Sequence, residues 1–155
     1  MNNMIYNFKT HSISNSKKFY NVYYLTIGFL EIIFDFKTNE LLGLEGFFPL
    51  IKSEKCNIKL PKCVVNKYFI SNIDKAHIYI GGVYDYCGKV MDHADYFINQ
   101  NIKYDAENGI IALGDDNILS TDKFIQIDKN IICMVDLKNI LKRIYIVPDG
   151  FICRE

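Results

Sequence analysis

Residues 30–50 read LEIIFDFKTNELLGLEGFFPL. Two apolar runs flank the polar turn Lys37-Thr38-Asn39-Glu40. Asn39 tolerates the left-handed backbone that a tight turn needs. Pro49 lacks an N–H and ends the second run, so a strand is expected from Leu41 to Phe48. Upstream, YYLTIGFLEIIFDF carries the apolar pattern back to Tyr20. It predicts one long strand from about Tyr20 to Phe36, apolar on both faces, with a bulge or bend at Gly28. The decisive stretch is thus a long β-hairpin, and no catalytic motif lies in or near it.

Outward from the hairpin the chain stays rich in strand signals. Residues 1–20 are weakly patterned, and Ser12, Ser14 and Ser16 suggest a loop or a short capped helix. After a charged connection from Lys52 to Lys62, strands are expected at Cys63 to Ile70 and His77 to Tyr84. Met91, Ala94, Phe97 and Ile98 recur at three- and four-residue spacing, which predicts one or two helical turns within Val90 to Asn101, Asp92 near their start. Asn108-Gly109 signals a turn before the run IIAL, and Gly114 to Asn117 signals another. Phe124 to Ile127 and Ile131 to Val135 read as paired strands around the turn Asp128 to Asn130. Asp136 can cap a short helix over Leu137 to Leu141, with Lys142 and Arg143 at its end. A last strand, Ile144 to Val147, stops at Pro148. No internal repeat or linker is visible. The expected fold is one α+β domain over residues 1–155, dominated by antiparallel sheet with one or two short helices.

Composition bounds the function classes. The chain has 155 residues, enough to bury a core without staples. Its 11 Tyr and 11 Phe favour strands. The five cysteines form no C-x-x-C pair, which argues against a zinc ribbon or a thioredoxin-like motif. Cys87 and Cys133 sit in apolar runs and read as small buried hydrophobes. Residues 1–18 hold no continuous apolar region, and no run approaches the roughly 18 apolar residues of a membrane helix. A cytoplasmic protein that does not enter a membrane is expected. Net charge is zero but uneven: +4 over residues 1–70, −6 over 71–128 and +2 over 129–155. The acidic centre argues against direct nucleic-acid binding, where phosphate contacts dominate affinity.

Three constellations bear on chemistry. Asp92, His93 and Asp95 are suitable metal ligands by type, but on a helix only Asp92 and Asp95 share a face. The alternative reading is a solvated acidic turn, and no metal or other cofactor is expected. Gly81-Gly82 and Gly43-x-x-Gly46 lack the strand–loop–helix setting of a phosphate cradle and read as bulges or close packing points. The acidic segment is the strongest candidate for a partner surface. Its carboxylates include Asp85, Asp92, Asp95, Asp105, Glu107, Asp115, Asp116 and Asp122, with Tyr84, Tyr86 and Tyr96 interleaved. Tyrosines anchor an interface at low entropic cost, and carboxylates steer a basic partner. The bland reading is a solvated face with half-exposed strand tyrosines.

Two stretches carry a resemblance. Residues 30–50, and DKNIICMVDLKNILKRIYIVPD at 128–149, resemble the hairpin and the closing strand–short helix–strand of small bacterial immunity proteins. These belong to contact-dependent growth inhibition and related polymorphic toxin systems. The two stretches cover about 43 of 155 residues. The resemblance implies a small cytosolic protein, not an enzyme, that neutralises a cognate toxin, often a nuclease, by binding it. It assigns no individual binding residue. Two other classes remain open on the sequence: a small metal-dependent hydrolase or nuclease, and a self-associating phage or secretion structural protein.

Overall fold

The computed structural model describes residues 2–51, 53–86, 91 and 101–153. The chain opens with a hairpin of Met4–Asn7 (β1) and Ser12–Asn15 (β2). A three-strand meander follows: Val22–Ile27 (β3), Leu30–Asp35 (β4) and Leu41–Phe47 (β5). Then come two short strands, Glu54–Lys55 (β6) and Val64–Val65 (β7), a single 3-10 turn at Lys75–His77, and Val83–Asp85 (β8). The hairpin-and-meander pattern returns as Ile102–Asp105 (β9), Ile110–Gly114 (β10), Lys123–Gln126 (β11), Ile131–Val135 (β12) and Leu141–Ile146 (β13). Gly150–Ile152 (β14) is last.

The strands form two sheets, ordered β14-β1-β2-β5-β4-β3-β8 and β6-β9-β10-β13-β12-β11-β7. The central five strands of each sheet are antiparallel, and each outermost strand joins in parallel. The central orders are the same: 1-2-5-4-3 in the first sheet matches 9-10-13-12-11 in the second. Corresponding residues lie 98 to 101 apart, so Ile5 pairs with Ser14 as Lys103 pairs with Ala112, and Ile32 with Leu44 as Cys133 with Ile144. Even the irregularities correspond. The β4–β5 register slips between Ile33 and Phe34, and the β12–β13 register between Met134 and Val135. Both meander turns place an asparagine in the left-handed region, Asn39 at φ 66° and Asn139 at φ 68°. The strand after each meander crosses to the other half: β6 pairs with β9, and β14 with β1. The fold is therefore an internal repeat with exchanged edge strands. The sequence reading of no repeat is overturned: identical letters recur around the meander turns, Asp35, Asn39 and Leu41 against Asp136, Asn139 and Leu141, while most other matched positions differ in identity.

One core lies between the sheets. Leu25, Leu30, Ile32, Phe34 and Leu44 of the first pack in one cluster with Ile111, Leu113, Cys133, Ile144 and Ile146 of the second. The outer faces are also covered. A Cβ on Gly43 would meet the Phe19 ring at 3.0 Å. Residues 56–63 cross the second sheet, placing Ile58 and Cys63 on Ala112, Ile132 and Tyr145. This two-sided cover explains strands that are apolar on both faces.

Several expectations are corrected. The expected strand from Tyr20 to Phe36 is a hairpin, because Gly28 at φ 61° makes a two-residue turn with Phe29 and folds β3 onto β4. Ser12–Asn15 form β2 and Ser16 follows in a bend, where a loop or a short capped helix was expected. Only Val64–Val65 of Cys63 to Ile70 is a strand, and Phe69 adds an isolated bridge to Glu40. His77 to Tyr84 starts in the 3-10 turn and reaches strand only at β8. The helix over Leu137 to Leu141 is absent. Asp136 does accept the N–H groups of Lys138 and Ile140, but Asn139 closes a hairpin turn and Leu141 opens β13. Among the described residues the 3-10 turn is the single helical element, so the described part of the chain is β-dominated and lacks the short helix expected over Leu137 to Leu141. The helical turns expected within Val90 to Asn101 fall on residues of which only Met91 and Asn101 are described.

Candidate partner-binding surface

Strand β13 decides where the acidic residues go. All six of its residues are buried, including Lys142 and Arg143. A buried cation is stable only when paired and hydrogen-bonded. Lys142 meets both needs in the loop after β10: its Nζ lies 2.7 Å from Asp122 Oδ2 and donates to Asn117 O at 3.2 Å. Arg143 Nη1 donates to Asp115 O at 3.2 Å, and its guanidinium lies over the Tyr145 ring. Asp122 Oδ2 also accepts the Leu119 N–H, and Asp115 Oδ1 that of Asn117. The loop from Asp115 to Asp122 is thus held to the sheet by two buried cations.

What the loop presents follows from what those contacts leave over. The Asp122 side chain is sealed at 0% exposure. Asp115 is half-buried and Asp116 exposed. Ile118 and Leu119 stand more than half exposed beside them. Asp116 lies 3.2 Å from Lys103, whose hydrogen bond and charge hold its carboxyl below the usual carboxylate range. Two acids next to two exposed aliphatic side chains, on a fixed backbone, make an apolar centre with a charged rim.

The other candidate residues lie elsewhere. Asp105 and Glu107 sit at the opposite end of the second sheet, in the β9–β10 turn. Asp105 is buried and closes that turn. Its carboxylate accepts the Ile58 N–H at 2.9 Å, the Asn108 side-chain amide at 2.8 Å and the Asn108 N–H at 3.1 Å. These donors, the Ile58 N–H foremost, push its pKa down. Glu107 is exposed. Tyr84, Asp85 and Tyr86 are on or next to β8, at the edge of the other sheet. Asp85 is exposed, Tyr86 is in the core, and Tyr84 Oη accepts the Tyr79 N–H at 2.8 Å. Asp92, Asp95 and Tyr96 lie outside the described residues. The structure therefore gathers Asp115, Asp116 and Asp122 on one loop and separates the other described candidates from it. Sequence reasoning missed Lys142 and Arg143 as the groups that fix this loop. A strand pattern with two charges inside an otherwise apolar LKRIYI run was the available signal.

A second concave feature opens beside β7 and β11. A cavity of about 560 Å³ is lined by Tyr68, Phe124, Ile125, Val135 and Leu137, with Lys62, Lys67 and Lys123 among its polar groups.

No protein-family model matches this chain, and neither curated proteins nor solved structures give a significant match. Among the described residues no helix is long and apolar enough to cross a membrane, and no group of three or more His, Cys, Asp or Glu could hold a metal ion.

Proposed function

We propose that this chain is an immunity protein that binds a cognate protein toxin, a nuclease, and neutralises it by occluding the active site. In this reading the chain is not an enzyme, works in the cytoplasm without a cofactor and contacts no nucleic acid itself. The observation that carries the reading is the Asp115–Leu119 loop, with its carboxylates and exposed Ile118 and Leu119 on a backbone anchored by Lys142 and Arg143. A nuclease cleft is lined by cations that bind phosphate, and such a loop can mimic that charge while its apolar centre excludes water.

The test is protection. The C-terminal fragment of the protein encoded immediately upstream is expressed in a bacterium with and without this chain. Rescue of growth together with co-purification is the expected result. A harmless fragment, or killing despite this chain, overturns the reading. Given a complex, Asp115→Lys with Asp116→Lys is expected to slow association about tenfold at low salt and less at high salt. Unchanged association kinetics would remove the loop from the interface.

A further inference from the structure

The internal repeat allows the cavity beside β7 to be compared with its own counterpart. Register pairs Tyr23 with Lys123, Asp35 with Asp136, Phe36 with Leu137 and Asn39 with Asn139. In the first half this position is filled by the chain itself. Lys75 reaches over the Phe36 ring at 4.3 Å and the Tyr23 ring at 5.1 Å. Its ammonium donates to Phe36 O and to Asn39 Oδ1. The residues around it then run on through Gly81 and Gly82, hydrogen-bonded to Val22 and Tyr24, into the edge strand β8. In the second half β7 takes the sheet-edge place of β8, Val64 beside Ile125 as Tyr84 beside Leu25, so what lacks a counterpart there is the charged side chain seated at the meander turn.

In the second half the counterparts Lys123, Asp136, Leu137 and Asn139 all line the open cavity. The seat keeps its carboxylate, Asp136 in the place of Asp35, but gains positive charge around it. A lysine stands where Tyr23 offered a ring, an aliphatic side chain replaces Phe36, and Lys62 and Lys67 join the rim. The carboxylates in the lining offset only part of this charge: Asp122 is sealed against Lys142, and Asp136, which caps the N–H groups of its own turn, keeps one negative charge against three lysines. Among the described residues Lys62 and Lys123 form no ion pair, and Lys67 has Glu40 at 3.9 Å. The adjoining edge is apolar and open: Val64 and Val65 of β7 are 68% and 76% exposed, and Leu137 is 72% exposed. β7 is the outermost strand of its sheet. β7 has two residues, so this edge offers an added strand a short ladder only, and the groove beside it supplies the rest of the contact.

We propose that this groove binds an extended acidic segment of a partner protein, its carboxylates at Lys62, Lys67 and Lys123 and an aliphatic or aromatic side chain on Phe124, Val135 and Leu137. This site meets the Asp115–Asp122 loop at Asp122 but does not include Asp115–Leu119, and it does not depend on the immunity reading.

The test selects peptides from a random phage-displayed library on the folded, full-length protein. Enriched peptides are then synthesised with a fluorophore, and their affinity is measured by anisotropy. Enrichment of acidic peptides carrying an aliphatic or aromatic residue is expected, with binding about tenfold weaker to Lys62→Glu with Lys123→Glu. Leu137→Asp, at an exposed position, gives the same loss by a route that spares the fold. Enrichment without acidic bias, no enrichment, or equal binding to these variants overturns the proposal. So does self-association in sedimentation that is abolished equally by Lys123→Glu and by Asp116→Lys, since the occupant is then a second copy of the chain.

Discussion

The side chains of Lys142 and Asp122 are 2% and 0% exposed, and their 2.7 Å contact is sealed by the loop it anchors. Removing one partner of such a pair leaves a buried charge without compensation. Asp122→Ala is therefore expected to cost about 3–5 kcal/mol in urea unfolding. Lys142→Met with Asp122→Leu is expected to recover most of that loss while leaving the loop loosely held. Additive losses in the double variant would show that the two charges do not act as a pair. Asp105 titrates in a defined direction. Its donors favour the carboxylate, so its folded pKa lies below the unfolded value. Its stabilising contribution is complete above the unfolded pKa of about 3.9 and is lost as pH falls through the lower folded value. Asp35, held down chiefly by the Thr38 N–H, adds in the same direction. Asp105→Asn is expected to reduce the stability lost between neutral pH and about pH 3, measured by urea midpoints across that range. An unchanged acid limb would mean that other carboxylates dominate it.

At the scale of elements, the two meanders make a controlled comparison. Gly46 of β5 and Ile146 of β13 occupy corresponding places. Gly46 has φ 113°, and a Cβ there would stand 2.7 Å from Phe29 O, because the β3–β4 hairpin turn presses against β5. Ile146 is fully buried in the core. Gly46→Ala is expected to cost about 1–3 kcal/mol through backbone strain, and Ile146→Ala about 2–5 kcal/mol through lost burial and a cavity. The sign is the same and the mechanism differs, so filling the Ile146→Ala cavity with a small apolar molecule should restore stability only there. Equal rescue of both variants would contradict the strain account. The turns were the most legible elements: Asn39 and Asn108-Gly109 announced themselves by residue type. The hairpin at Gly28 was read as a bend because apolar residues continue through it on both sides.

For the whole molecule, the exchanged edge strands tie each half to the other. β14 brings Phe151 against Tyr6, Phe8 and Tyr104, rings drawn from both repeats. Asp149 accepts the Met4 N–H at 2.7 Å. Phe151→Ala is expected to lose of the order of 2 kcal/mol in one cooperative transition. Two separated transitions would mean that the halves unfold independently. The sequence by itself determined that strands dominate, where the turns at Asn39, Asn108-Gly109 and Asp128 to Asn130 fall, and which short runs are apolar enough to be buried. Those properties follow from local chemistry: β-branched and aromatic side chains, asparagine and glycine in left-handed turns, proline as a stop. The tertiary structure alone decided the repeat, the two sheets, the burial of Lys142 and Arg143, and the separation of the acids into distinct places. The burial of Lys142 and Arg143 rests on partners 20 and 28 positions earlier, and the exchanged edges on pairings 49 and 145 positions apart, none of which local sequence announces. Side chains of different identity fill equivalent core volumes, so the repeat of packing shows in few letters, among them those around the meander turns, where Asp35, Asn39 and Leu41 match Asp136, Asn139 and Leu141. Likewise, a charge reads as solvated along the chain until a loop from elsewhere closes over it.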